Sequence, residues 1–539
     1  MRKGKRFILG LVCMAVLAVS VLTFTSCGGG GGQEDDGSDG SKQIKITLPD
    51  LGYGTDWMDA LAKGFTAKTG IKVKVDITPT EANYESQLRS GSADYDIYVM
   101  RYNTYSLVAA NASNYSGYDC ILAELDDLYE SEVANEGIKF KDKMKDIYEV
   151  YNRVDRNGDG EIHYYAVPWC DSIFGLVRNL DVWDDSWNVP NTTDELLSLC
   201  QQMKSEGVTP MIWSSQASYV WSSANLWVTQ YQGMDDMYGE QGFWNCYSEQ
   251  GEKNSAKMWT REGILHAMEV VDQLVNAENG YSHPASTNVD FTTAQGYFMI
   301  PSQKIAMMSN GDWLYKEMVK NYSNANIDMI RMPVISAIIE HPDCEGTIAD
   351  DKELSALIRA IDGGSTALSG EGYEVSQKAF DKIYEARNMY TCSSNVNHIM
   401  VTPAYSDSLE EVKQFYNYMA SDEGLKIYAE NSGGFTLGFD SSEEVIAASE
   451  KVANNFVKST EAIKRNNQVA PWAMYMNRLF AVGGMPVEPV IELGYSHPEL
   501  IMSLNKEDGY MSAKEIYSKN YQNASSKWSS YMKTAGMEK

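Results

Sequence analysis

Positive charge is what this chain has least of: 45 lysines and arginines stand against 74 aspartates and glutamates, a formal net charge of −29 over 539 residues. So acidic a surface repels polyanions, which argues against nucleic acid as a partner and against acidic polysaccharides unless local arginines or a bound cation reverse the field. Neutral ligands fit it better. Histidine is scarce as well, with six in all, and there is no HExxH and no GxSxG, so metalloprotease and serine-hydrolase chemistry lack their parts. The eight cysteines show no CxxC spacing, which leaves a metal cluster or dithiol redox motif without its ligands. No internal repeat is present. Paired carboxylates for glycoside hydrolysis stay open, because their separation is a property of the fold and not of the sequence.

What is there begins with an export signal. Arg2, Lys3, Lys5 and Arg6 precede an apolar run from Phe7 to Phe24, followed by Thr25, Ser26 and Cys27. Phe24-Thr25-Ser26-Cys27 resembles a bacterial lipobox, which implies lipidation of Cys27; an uncleaved anchor of roughly twenty apolar residues is the alternative. Residues 27–42 are rich in Gly, Ser, Asp and Glu and read as a flexible tether. Setting aside residues 1–26 removes four bases and no acids, leaving 41 against 74 and a net charge of −33. The remaining chain is long enough for two large lobes.

From residue 43 the pattern is β-α-β-α-β. Ile44 to Leu48 reads as a strand, Asp56 to Lys68 as a helix stopped at Thr69-Gly70, Ile71 to Ile77 as a strand of alternating Ile and Val, Asn83 to Ser90 as a short helix, and Tyr95 to Met100 as a third strand. That order predicts a parallel sheet, with ligands beyond the carboxyl ends of its strands. Among residues in the corresponding loops, Tyr53, Asp56, Arg101 and Tyr102 can stack or hydrogen-bond. Later helices are expected over 261–276, 408–420, 422–430 and 442–465, with Thr192 and Glu195 forming a capping box. A strand over 304–308 places Asp312 and Trp313 at a helix start, where free backbone N–H groups could meet a ligand oxygen.

Several blocks in order resemble one family. FTAKTGIKVKV and ADYDIYVM, then YYAVPWCDSIFGLVRNLDVW, TTDELLSLCQQMKSEGVTPM, FTTAQGYFMIPSQKIAMMSNGDWLYKEM and SLEEVKQFYNYMASDEGLKIYAENSGG are together similar to the extracellular solute-binding proteins of ABC importers, specifically the sugar-type, maltodextrin-binding-like group. The resemblance implies an α/β, two-lobed periplasmic-binding-protein-like fold of type II, each lobe a mostly parallel sheet flanked by helices, with a ligand cleft between them. It implies lobe 1 over 43–165 and 335–438, and lobe 2 over 168–332 and 440–535. It further implies an oligosaccharide ligand, an ABC permease as partner, a monomer held extracellularly at the membrane, and no catalysis. Two alternatives remain, a glycan-active enzyme and the ligand-binding subunit of a membrane sensor.

Sugars offer apolar C–H faces rimmed by hydroxyls, so their sites stack aromatics on the faces and set carboxylates at the rim. By resemblance, Trp313 is the stacking residue, a tryptophan that only packs the helix start being the alternative, with Asp312 beside it as hydroxyl acceptor or helix cap. Tyr219 or Trp221 in QASYVWSS matches an aromatic after the third strand of lobe 2, and Trp472 with Tyr475 in APWAMYMNR matches a late cleft segment. Trp169 and Asp171 follow the strand that crosses between lobes. Arg178 and Arg331 are expected to pair with acids.

The stretch DRNGDG carries a cation-loop pattern. Asp155, Asn157 and Asp159 supply oxygens on alternate residues, Gly160 permits the turn, and the carbonyl of Glu161 is the next ligand. His163 and Ala166 then stand where an EF-hand needs its ninth and twelfth ligands, so this is no EF-hand. Such loops before this strand occur in the larger members of the resembling family, which implies a structural Ca2+; a metal-free Asn-Gly hairpin turn is the alternative.

Overall fold

The computed structural model describes residues 42–91, 94–102, 104–108, 118–157, 160–214, 219–239, 256–392, 398–465, 467–471, 479, 484 and 510–536. The opening strands form as the alternation predicts. β1 (Gln43–Pro49) pairs in parallel with β2 (Lys72–Thr78) and with β3 (Ile97–Arg101). β1 buries Ile44, Ile46 and Leu48, whereas β2 at the sheet edge buries none of its residues fully and leaves Lys72, Lys74 and Ile77 exposed. Between β1 and β2 runs the helix Asp56–Thr69. Trp57, Met58, Leu61 and Phe65 form its buried face, Asp56 and Asp59 sit favourably in its first turn, and Gly70 closes it in the left-handed region at φ +77.

The chain then makes a small hairpin, β4 (Arg153–Val154) with β5 (His163–Tyr164), around the DRNGDG loop. A single strand over Glu161 to Val167 is expected from the sequence; two form, because Tyr165 separates β5 from β6 (Ala166–Pro168), which joins the first sheet. With β14 (His398–Val401) lying antiparallel to both β3 and β6, that sheet runs β2-β1-β3-β14-β6.

A second sheet is built on β7 (Phe174–Asn179), buried at every position but Arg178. The segment 169–173 leads into it with no helix. β8 (Thr209–Ile212), β9 (Ile305–Gly311), β10 (Ile327–Ile330), β13 (Met389–Cys392) and β15 (Gln468–Pro471) complete the order β15-β13-β7-β9-β8, with β10 also on β7. A separate two-stranded hairpin joins β11 (Ser369–Gly370) to β12 (Tyr373–Glu374). The segment 335–438 is thus shared, with β13 in the second sheet and β14 in the first.

Register brings several strand ends together. Phe174 at the start of β7 faces Gly311 at the end of β9 and Thr391 near the end of β13, while Arg101 at the end of β3 faces His398 at the start of β14. The carboxyl ends of β3, β6, β9 and β13 therefore converge on one junction.

Helices cover both sheets. Thr192 caps Thr193–Ser205 through the Glu195 N–H, but the Glu195 carboxylate reaches the Asn191 N–H and not that of Thr192. The helix expected over 442–465 is two, Glu443–Val452 and Asn455–Lys464, because Ala453 is extended and the Asn454 side chain caps the second through the Val457 N–H. Helices Leu409–Ala420 and Asp422–Ser432 lie close to the expected bounds. Among the described residues no helix is long and apolar enough to cross a membrane.

Candidate functional site

Four candidate residues meet at the junction. The loop after β1 carries Tyr53 across to the second sheet, where its hydroxyl donates to Asp312 Oδ1 at 2.8 Å. Asp312 Oδ2 accepts from the Ile173 N–H at 3.3 Å, so the turn after β9 is pinned to the segment entering β7. Trp169 packs edge-on to Tyr53 at 5.8 Å and stacks on Trp57 at 5.4 Å, with His398 5.2 Å away. Its indole Nε1 is buried without a hydrogen-bond partner, a donor left available. Asp171 lies two residues on. It accepts from Lys145 Nζ at 2.6 Å, from the Tyr390 hydroxyl at 3.0 Å and from the Tyr148 hydroxyl.

Beneath these lies Lys464, the last residue of Asn455–Lys464, with its side chain 2% exposed. Its ammonium donates to the Asp171 carbonyl at 2.6 Å, pairs with Glu461 at 2.6 Å, and stands 4.0 Å from the Asp171 carboxylate and 3.9 Å from that of Asp312. The two aspartates respond differently. Burial pushes both upward, but Lys145 and Lys464 outweigh it at Asp171, which ends below the usual carboxylate range. At Asp312 burial wins over Lys464 and the Tyr53 hydrogen bond, and the carboxyl is pushed up to about 7. Lys464 is raised, since three acids outweigh its burial.

Trp313 stands beside this network, 7% exposed. Its ring meets Phe174 at 5.7 Å and Tyr219 at 5.8 Å, and Tyr219 packs on Phe291 at 4.4 Å. Gly52, at φ +94, lies so close that an added Cβ would stand 3.2 Å from Trp313 Cβ. Gly311 is tighter, since a methyl there would overlap the Trp313 ring. Gly311→Ala is therefore expected to dislodge the indole and to cost about 1–3 kcal/mol, read from urea unfolding.

The other candidates lie further out. Asp56 is exposed at its helix start, across from Lys316, whose ammonium is lowered by burial against the attraction of Asp56 and Asp50. Arg101 is held by Glu81 and Tyr102 by Glu85, both on the first sheet's own side. Trp221 falls in the helix Val220–Gln232, while Trp472, Tyr475 and Asp159 lie outside the described residues, as does Cys27. In the cation loop the Asp155 carboxylate accepts from the Gly160 N–H at 3.1 Å, and Asn157 and Glu161 are exposed. Arg178 and Arg331 pair with Asp328 and Asp362, as expected.

Sequence reasoning missed Lys145, Tyr148, Tyr390, Glu461 and Lys464. Glu461 and Lys464 stand three apart on an amphipathic helix, a spacing shared with ordinary solvated ion pairs, so only tertiary burial marks them. A groove of about 410 Å3, lined by residues including Phe65, Lys68, Lys413 and Tyr418, lies away from the junction.

Residues 60–456 match the family model of bacterial extracellular solute-binding proteins. A curated relative, the diacetylchitobiose binding protein NgcE of Streptomyces coelicolor, is 23% identical over 308 residues, 55% of this chain and 58% of its own, so the match spans little more than half the length of that relative. Among solved structures, a chitin oligosaccharide binding protein aligns at TM-score 0.52 with 14% identity over 90% of this chain and 98% of its own. The bacterial solute receptor AcbH, described as exclusive for β-D-galactopyranose, aligns at TM-score 0.55 with 13% identity over 92% of this chain and all of its own. These structures share the two-lobed α/β fold, with sheets flanked by helices.

Proposed function

Since the chain belongs to the bacterial extracellular solute-binding proteins, we propose that it binds a neutral oligosaccharide at the junction of its two sheets and hands it to an ABC permease. The observation that carries this is the convergence of Tyr53, Trp169, Asp171 and Asp312, from both sheets, at the carboxyl ends of the strands. Charge supports a neutral ligand: Lys145 and Lys464 face Asp171, Glu461 and Asp312, whose carboxyl burial pushes up to about 7. Aromatic faces at Trp169, Tyr53 and Trp313 suit sugar C–H surfaces, and the unpaired Trp169 N–H suits a sugar oxygen. Side chains fill the junction in this closed arrangement. Ligand entry requires the Tyr53–Asp312 contact to part and re-form around the sugar, so binding shifts a hinge equilibrium.

The same reading tethers the protein to the outer face of the membrane by a lipidated Cys27, acting as a monomer. It places a structural Ca2+ in the loop of Asp155, Asn157, Asp159 and the Glu161 carbonyl. It assigns no catalysis, so incubation with glycans is expected to release no new reducing ends.

A thermal-shift screen tests the ligand. At one hundred times Kd, stabilisation of about 2.7 kcal/mol is expected for a matching neutral oligosaccharide; no shift with any neutral saccharide contradicts the proposal. A melting temperature lowered by chelator and restored by calcium is expected of the loop, and an unchanged one removes the calcium.

A further inference from the structure

The base of the cation-loop hairpin brings together three side chains that the solute-binding reading does not use. Glu124, Asp126 and His163 place ligand atoms within 4.8 Å of one another. They come from two segments locked side by side, since the Leu125 N–H donates to the Tyr164 carbonyl at 2.8 Å and the Tyr164 N–H donates to Asp126 Oδ1 at 2.8 Å. Tyr164 itself is turned to the other face of the hairpin, stacked on Tyr129 at 3.9 Å. With side chains alternating along a strand, His163 and Tyr165 share the opposite face. There His163 Nδ1 lies 2.7 Å from Asp126 Oδ2, and the Tyr165 hydroxyl donates to Glu124 Oε1 at 3.3 Å.

We infer that Glu124, Asp126 and His163 form a binding site for a borderline divalent cation of the Zn2+ class, distinct from the oxygen-only loop above it. The donor set decides the class: an imidazole nitrogen favours zinc and its neighbours over calcium, while the two carboxylates supply charge. The spacing needs little adjustment. Donors about 2.1 Å from one tetrahedral ion lie roughly 3.4 Å apart, and the Glu124 side chain is exposed, with solvent room for the small rotation that closes the difference. Asp126 is already oriented through its other oxygen by the Tyr164 N–H, and Glu124 by Tyr165, the kind of outer contact that fixes ligands before the ion arrives. Three protein ligands leave further positions to water.

The experiment titrates the full chain, stripped of metal, with Zn2+ and with Co2+ in excess Ca2+, which occupies any oxygen-only loop. One saturable equivalent of each is expected, with a visible Co2+ absorption band. His163→Ala is expected to weaken Zn2+ binding roughly one hundred-fold or more, and so is Asp126→Asn, which keeps the oxygen that accepts from Tyr164. Glu430→Gln, on a distant exposed position, is expected to change nothing. Absence of saturable Zn2+ binding by the unaltered chain, or equal affinity in the His163 and Asp126 variants, overturns the site. Neither outcome bears on saccharide binding, which the thermal-shift screen reads separately.

Discussion

Replacing Lys464 by methionine is expected to cost the fold about 3–5 kcal/mol, measured by urea denaturation at neutral pH. The ammonium is the cation at the floor of the junction, paired with Glu461 at 2.6 Å and within 4.0 Å of both Asp171 and Asp312. Methionine fills nearly the same volume, so the loss measures charge and not packing. What remains is three acids out of water, with Lys145 left to compensate Asp171 alone. The double variant Lys464→Met, Glu461→Gln removes one orphaned charge and is expected to recover part of the loss. A cost below about 1 kcal/mol for the single variant, the range of an exposed pair, would mean that water reaches these acids.

The second large effect is on pH. An acid whose folded-state pKa is raised contributes stability that is fully present below its unfolded pKa and is lost as pH rises through the folded one. For Asp312 that window runs from the ordinary carboxylate value of 3.8 to about 7. The cause is burial first, with Glu461 and Asp171 adding repulsion and with Lys464 and the Tyr53 hydrogen bond opposing it. Between pH 5 and pH 8 its contribution is on the order of 2–3 kcal/mol. His163, raised by its hydrogen bond to Asp126, titrates with the same sign, so the difference between wild type and Asp312→Asn isolates the junction. The variant is expected to be less stable than wild type at pH 5, where the Ile173 N–H loses its acceptor, and to lose less on going to pH 8. Parallel pH profiles would show Asp312 to be ionised throughout.

Much of this architecture can be read from residue order alone. The alternation of Ile44, Ile46 and Leu48 and of Val73 and Val75 marks two strands, and Gly70 marks the turn between helix and strand, because each is a local property of the chain. Ser309-Asn310-Gly311-Asp312-Trp313 places the critical turn for the same reason. The composition of the junction is a different matter. Arg101 and Tyr102 lie on the right loop, yet Glu81 and Glu85 hold them on their own side of it. Lys464 lies on a helix whose sequence carries no mark of its importance, since a Glu-Lys pair three apart is equally suited to solvent. Its role arises when β7 and the helix Asn455–Lys464 bring Asp171 and Glu461 to the same ammonium, a contact of residues 293 apart in sequence. The break at Ala453 and Asn454 escaped for a related reason: the apolar periodicity runs on across it, and Asn454 acts as a cap only because the backbone there is extended.

The junction also explains why aromatic residues were informative but insufficient. Trp57 and Trp169 form one stack, yet only Trp169 retains a buried, unpaired N–H, whereas the Trp57 indole donates to the Gly54 carbonyl at 2.9 Å. Side-chain identity alone does not separate a packing tryptophan from one with a donor to offer.

The most direct test is hydrogen–deuterium exchange with and without a saturating neutral oligosaccharide. Slower exchange is expected in 50–56, 169–173 and 309–314, the three segments that meet at Tyr53, Trp169 and Asp312, with the helix Ala513–Thr534 unchanged. Binding accompanied by protection elsewhere, and none in those segments, would contradict a saccharide site at the junction of the two sheets.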